Sequence, residues 1–240
     1  MIPIDRHLQI GSLLFEGVDQ IDLTGPFEVL SRVPNATYRI FGKTTGPVRD
    51  VRGLRLMADA VLSDAPQLDV LHVPGGPGQE ALMDDQEVLG WLRRQAAGTI
   101  CVFSVCTGAL ICGAAGLLRG RRATTHWASV HLLPFFGATP VNRRVVVDGD
   151  MVLAAGVTAG IDGALRVVAD LRGDAAAQTI QLHMAYAPEP PFNSGTPETA
   201  PPAIVESARH SLETITARRE RTARLVAARL GIAVPLADST

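Results

Sequence analysis

Cysteine is scarce in this 240-residue chain, with only three residues, an odd number. Without a secretion signal, that count argues against a disulfide framework and for a reducing compartment, taken as the cytoplasm. Long apolar runs are also missing. The opening MIPIDRHLQIG meets charges at Asp5 and Arg6 and reaches Gly17 soon after, too early for a signal peptide or a membrane span. An excess of charge is lacking as well. A formal net charge of −2 gives no electrostatic reason to expect nucleic acid as the main partner. What remains is a globular balance, 47% hydrophobic and 19% charged, with no internal repeats.

Short apolar runs alternate with helical patterns, the reading of a parallel sheet flanked by helices. Strands are predicted over Leu8 to Phe15, Tyr38 to Phe41, Val70 to Val73 and Thr99 to Val105, with a small hairpin region over Val51 to Met57. A further hairpin turns at Asp148-Gly149-Asp150. Helices are predicted from Thr24-Gly25-Pro26 onward, over Gln86 to Ala97 and Thr107 to Leu118, and at about Ala159 to Leu171 and Asp174 to Tyr186. Tyr186 to Pro202 is proline-rich and reads as a linker or surface loop. Beyond it, Val205, Ala208, Leu212 and Ile215 form the stripe of an amphipathic helix. Arg209, Arg218, Arg219, Arg221, Arg224 and Arg229 are assigned to its other, solvated face.

Chemistry is expected where the apolar strand ending Ser104-Val105 runs into Cys106-Thr107-Gly108-Ala109. The sulfur then sits beyond the carboxyl end of a strand, where open α/β sheets bind ligands. A helix N-terminus there favours thiolate, the nucleophilic form. The ordinary alternative is a buried, inert thiol, which is the reading for Cys101 and Cys112. Pro74-Gly75-Gly76-Pro77-Gly78 either makes a tight turn or aims main-chain N–H groups at a developing negative charge. Asp22 either opens a helix or faces Cys106, where a dry pocket would raise its proton affinity and let it deliver a proton. His126 reads as a pocket-lining or structural residue rather than a catalytic one. His131, five residues on, is poorly spaced to share a metal with it.

The stretches IDLTGPFEVL (21–30), LDVLHVPGGPG (68–78), SVCTGALICGAAGLLRGRRATTHWA (104–128) and GVTAGIDGALRVV (156–168) resemble the PfpI-like superfamily. That group is related to the class I glutamine amidotransferases, and the likeness within it is greatest to the isonitrile-hydrating branch. The proline-rich 186–201 also looks like that branch, so residues 1–202 are taken as the family domain and 203–240 as a C-terminal helical extension and tail. The resemblance implies a flavodoxin-like three-layer α/β sandwich with a mostly parallel sheet and helices on both faces. It implies a homodimer, no metal or organic cofactor, and hydration of a small isonitrile to an N-substituted formamide. Carried over residue by residue, Cys106 is the nucleophile, Asp22 the acid and base, and Thr107 a positioning neighbour. Gly75, Gly76 and His126 line the substrate site. In the protease-like branch a histidine follows the cysteine; Thr107 stands there in this chain, which weakens a Cys–His protease reading.

Two other classes share this scaffold. One is a ligand-sensing domain at the front of a helix-turn-helix regulator, which would need paired helices after Pro202, where 38 residues remain. The other is a stress protein or redox sensor, which would need an easily oxidised Cys106.

Overall fold

The computed structural model describes residues 1–233. Seven strands make one sheet: β1 (Leu8–Leu14), β2 (Ala36–Gly42), β3 (Ala60–Val61), β4 (Val70–Val73), β5 (Cys101–Val105), β6 (Val145–Asp148) and β7 (Met151–Ala154). Their spatial order is β6-β7-β5-β4-β1-β2-β3. All neighbours run parallel except the β6–β7 hairpin. The helices are α1 (Gln20–Leu30), α2 (Gln79–Leu82), α3 (Gln86–Ala96), α4 (Gly108–Ala114), α5 (Ala159–Arg172), α6 (Asp174–His183) and α7 (Pro202–Leu230).

The central strands are buried on both faces, which is why β4 and β5 read as continuous apolar runs rather than alternating ones. On one face Ile10, Phe103 and Val105 pack against Val29, Val167 and Val168 of α1 and α5. On the other, Leu71 and Val102 share a core with Trp91 of α3, Leu110 of α4, Phe136 of the 3-10 segment Trp127–Phe136, and Val226 of α7. This is the flavodoxin-like three-layer sandwich expected. Helix α3 shows the local logic. Asp85 caps it by accepting from the Glu87 and Val88 N–H groups, and Val88, Leu89, Trp91 and Leu92 form its buried stripe.

Several boundaries differ from the sequence reading. Helix α1 starts before Thr24, because Asp19 accepts the Ile21 N–H and acts as its N-cap. Pro26 therefore lies inside the helix, where its missing N–H leaves the Asp22 carbonyl without its helical donor. That carbonyl lies beside the buried ring of His72, whose Nε2 has no other partner. Helix α4 ends at Ala114, well short of Leu118. The two-residue edge strand β3 and the one-turn α2 are too short to show a period, and the ten-residue 3-10 segment, with Pro134 inside it, lacks the 3.6-residue period of an α-helix. The described residues after Ala200 form one helix, α7, which packs against the 3-10 segment and α2.

The chain runs outward from β1 to β2 and β3, then crosses back to β4, β5 and β7 on the other side. The sheet's switch point is thus the β1–β4 junction, and open α/β sheets bind ligands at the carboxyl ends of the strands there. Helix α1 after β1 carries Asp22, the turn after β4 carries Gly75 and Gly76, and the elbow after β5 carries Cys106.

Candidate functional site

Cys106 terminates β5 at a sharp elbow. Its N–H donates to the Ala154 carbonyl at 2.9 Å, the last rung of the ladder, and its φ of +54° then turns the chain into α4. A non-glycine residue in the left-handed region costs about 1–2 kcal/mol, so it persists only where surroundings impose it. One such constraint is Thr125, whose buried hydroxyl donates to the Cys106 carbonyl at 2.7 Å.

The glycine turn after β4 fits against that elbow. A Cβ on Gly75 would stand 2.5 Å from the Thr107 nitrogen, and one on Gly76, at φ +129°, would stand 2.3 Å from the Asp19 nitrogen. Only glycine allows this approach. The Gly75 N–H donates to Asp22 Oδ2 at 2.9 Å, and the Gly76 N–H donates to Thr107 Oγ1 at 3.1 Å. Both N–H groups expected to face an anion are therefore engaged within the protein. They hold the carboxyl and the threonine in place.

Asp22 is fully buried in the first turn of α1. Its Oδ1 makes no conventional hydrogen bond, and the Cys106 side chain lies against the carboxyl. Burial pushes the carboxyl up to about 7, and the Asp19 charge adds to this; the Gly75 N–H and the Cys106 side chain oppose it. For Cys106 the expectation of a favoured thiolate is corrected. Burial and then the Asp22 charge hold the thiol well above its ordinary range, against the pull of the Thr107 N–H and Arg219. The helix-terminus effect is present but is outweighed by desolvation. The carboxyl and thiol thus behave as one pair competing for protons.

Arg219 was assigned to the solvated face of the terminal helix, and the structure overturns that. It is 5% exposed. Its Nε donates to Gln79 Oε1 at 2.8 Å, its Nη2 to the Gly76 carbonyl at 3.4 Å and its Nη1 to Ser129 Oγ at 3.5 Å. The signal was available: the stripe through Leu212 and Ile215 reaches position 219 after four more residues, then continues to Ala223 and Val226. Assigning every arginine to solvent hid it. Arg218 and Arg229 do lie on the surface, pairing with Glu80 and Asp84.

His126 is half-buried at the start of the 3-10 segment, with Nδ1 accepting from the Ala128 N–H at 3.4 Å. Burial and then the Arg219 charge push it down to about 4, so it is neutral near pH 7. Cys101 and Cys112 are buried in the two cores, each pushed up to about 12 by burial. Among the described residues, no three His, Cys, Asp or Glu side chains converge as a metal site, and no helix is long and apolar enough to cross a membrane.

Residues 9–170 match the model of the DJ-1/PfpI family. The chain is 49% identical over 221 residues to the isonitrile hydratase of Pseudomonas putida, covering 92% of this chain and 97% of that protein. A crystal structure of a ThiJ/PfpI family protein from Pseudomonas syringae superposes with a TM-score of 0.89 at 37% identity, over 92% of this chain and 93% of that one. The HTH-type transcriptional regulator CdhR of Pseudomonas aeruginosa is 28% identical over 152 residues, 62% of this chain but only 45% of the regulator. With an elbow cysteine, a buried carboxyl and a family model spanning most of its length, this chain belongs to the DJ-1/PfpI family.

Proposed function

We propose that the protein is an isonitrile hydratase, converting an isonitrile and water into an N-substituted formamide. The observation that carries this is the pairing of the Cys106 thiol with the buried Asp22 carboxyl at the sheet's switch point, in a chain that aligns with an isonitrile hydratase over nearly its whole length.

The reacting form of the pair holds one proton and one negative charge. Sulfur bonds to the terminal carbon of the isonitrile, and Asp22 passes its proton to that same carbon. The product is a thioimidate with a new C–S bond and a new C–H bond. Water then adds to this carbon. The carboxylate takes a proton from the water and passes it to the nitrogen. The tetrahedral adduct collapses as the C–S bond breaks and the hydroxyl proton returns to Asp22, restoring the pair. One carboxyl thus serves in turn as acid and base. Thr107, tied to Gly76 through its hydroxyl, fixes the elbow and directs its N–H at the sulfur. Gly75, Gly76 and His126 form walls of the substrate site. A neutral His126 suits an uncharged substrate.

The likeness to the regulator CdhR spans 45% of that protein, whereas the likeness to the isonitrile hydratase spans 97% of it at higher identity, which favours the enzyme reading. A redox sensor would need an exposed thiol of low proton affinity, whereas Cys106 is buried and its affinity raised. We further read residues 1–202 as the catalytic body and 203–240 as an extension, and take the protein to work as a homodimer in the cytoplasm without metal or organic cofactor. Three unpaired cysteines fit a reducing compartment. Formamide production from a simple alkyl isonitrile tests the reading. Turnover by the wild type that disappears in Cys106→Ala supports it, and a wild-type protein without turnover refutes it.

A further inference from the structure

A buried guanidinium is costly unless an opposite charge answers it. The three acceptors of Arg219 are an amide oxygen, a hydroxyl and a backbone carbonyl, all uncharged. The nearby carboxylate of Glu80 is already committed to Arg218 at 2.8 Å and Thr222 at 2.6 Å. The charges that act on Arg219 are those of Cys106 and Glu80. Those that act on Cys106 are Asp22 of α1, Asp19 at its N-cap and Arg219 from α7. The neutral His126 ring also feels Arg219.

The approach has a direction. Helix α1 brings Asp22 from one layer of the sandwich, where its neighbours pack against α5. Helix α7 belongs to the opposite layer. From there Arg219 reaches the Gly76 carbonyl, and the Gly76 N–H is bonded to Thr107, the residue next to Cys106. The cation therefore reaches the pair by way of Gly76 and Thr107; it acts on Cys106, and its charge is not among those that act on Asp22.

We propose that α7 supplies Arg219 as the fixed counter-charge of the Cys106–Asp22 pair, holding the pair's single negative charge and drawing it onto sulfur. This rests on the hydratase reading for its purpose: charge on sulfur leaves the proton on Asp22, which is the state the first step consumes. Arg219 acts through the pair and is a positioning residue. The extension beyond Pro202 then becomes part of the active site rather than an outer support.

The test uses iodoacetamide, which reports thiolate at Cys106 without any isonitrile. Alkylation of the Cys106 peptide is followed by mass across pH in the wild type, Arg219→Gln, Arg219→Lys and Arg218→Gln. Arg219→Gln is expected to slow alkylation roughly tenfold at pH 7 and to displace its rise toward higher pH. Arg219→Lys should keep most of the rate, and Arg218→Gln, a surface change on the same helix, should match the wild type. If Arg219→Gln does not fold, Gln79→Leu loosens the guanidinium, and a smaller slowing in the same direction is expected. A folded Arg219→Gln protein, or failing that a folded Gln79→Leu protein, with the wild-type rate and profile overturns the proposal, as does equal slowing by Arg218→Gln. A wild type that hydrates no isonitrile would sink the hydratase reading and leave the alkylation difference to decide Arg219.

Discussion

The Gly75 N–H donates to Asp22 Oδ2 at 2.9 Å, and this bond joins the turn after β4 to the helix after β1 across the sheet's switch point. It fixes a carboxyl that burial would otherwise expel, and a Cβ at Gly75 would strike the Thr107 nitrogen at 2.5 Å. One small residue thus sets both the carboxyl and the elbow. Gly75→Ala is expected to destabilise the protein by about 1–3 kcal/mol and to lower kcat more than it raises KM. Urea denaturation with steady-state kinetics checks both.

Rates should report the pair rather than a single group. Below about 7, carboxyl and thiol are both protonated; loss of the first proton creates the reacting form. The kcat/KM of the wild type is therefore expected to rise with a one-proton inflection near pH 7. It should then stay level until the second proton leaves, well above the ordinary thiol range. Asp22→Asn removes the inflection and lowers kcat by roughly 10²-fold or more. A pH–rate profile of the two proteins checks this.

The same carboxyl leaves a mark on stability. Its proton affinity is raised in the folded state, from an ordinary 3.8 to about 7. Between those pH values the folded protein holds a proton that the unfolded chain has released, so this contribution is full below about 4 and is lost as pH rises through about 7. His72 and His126, pushed down to about 3 and about 4, act in the opposite sense. The difference between wild type and Asp22→Asn isolates the carboxyl. Relative to the variant, the wild type should lose on the order of 3 kcal/mol from pH 4 to pH 8. Denaturant midpoints at several pH values measure it.

Thr125→Val tests what holds the elbow. The substitution keeps shape but removes the 2.7 Å hydroxyl bond to the Cys106 carbonyl. A loss of about 1–2 kcal/mol is expected, with kcat lowered and Cys106 still present to alkylation. Thermal melts and turnover together check this prediction.

The parts of the fold that repeat were readable from the sequence. The apolar runs at Val70–Val73 and Cys101–Val105 carry their own signature, as does the α3 stripe with Asp85 before it. Cys106 was placed by the strand that ends in it, and Asp22 by the family-like segment around it. What escaped depends on burial and on distant partners. No pattern near Cys106 says that desolvation will outweigh a helix terminus, because burial depends on the layers packed around the thiol and the opposing charge comes from Asp22, 84 positions away. Arg219 escaped differently. Charge alone suggested solvent, while its spacing on the stripe already placed it inside.

A rapid acid quench during turnover of an alkyl isonitrile, followed by mass analysis of the Cys106 peptide, bears most directly on the covalent step. A peptide heavier by one isonitrile molecule is expected, with an adduct that disappears as formamide forms. Formamide appearing while that peptide stays unmodified, at a rate that Cys106→Ala retains, would contradict it.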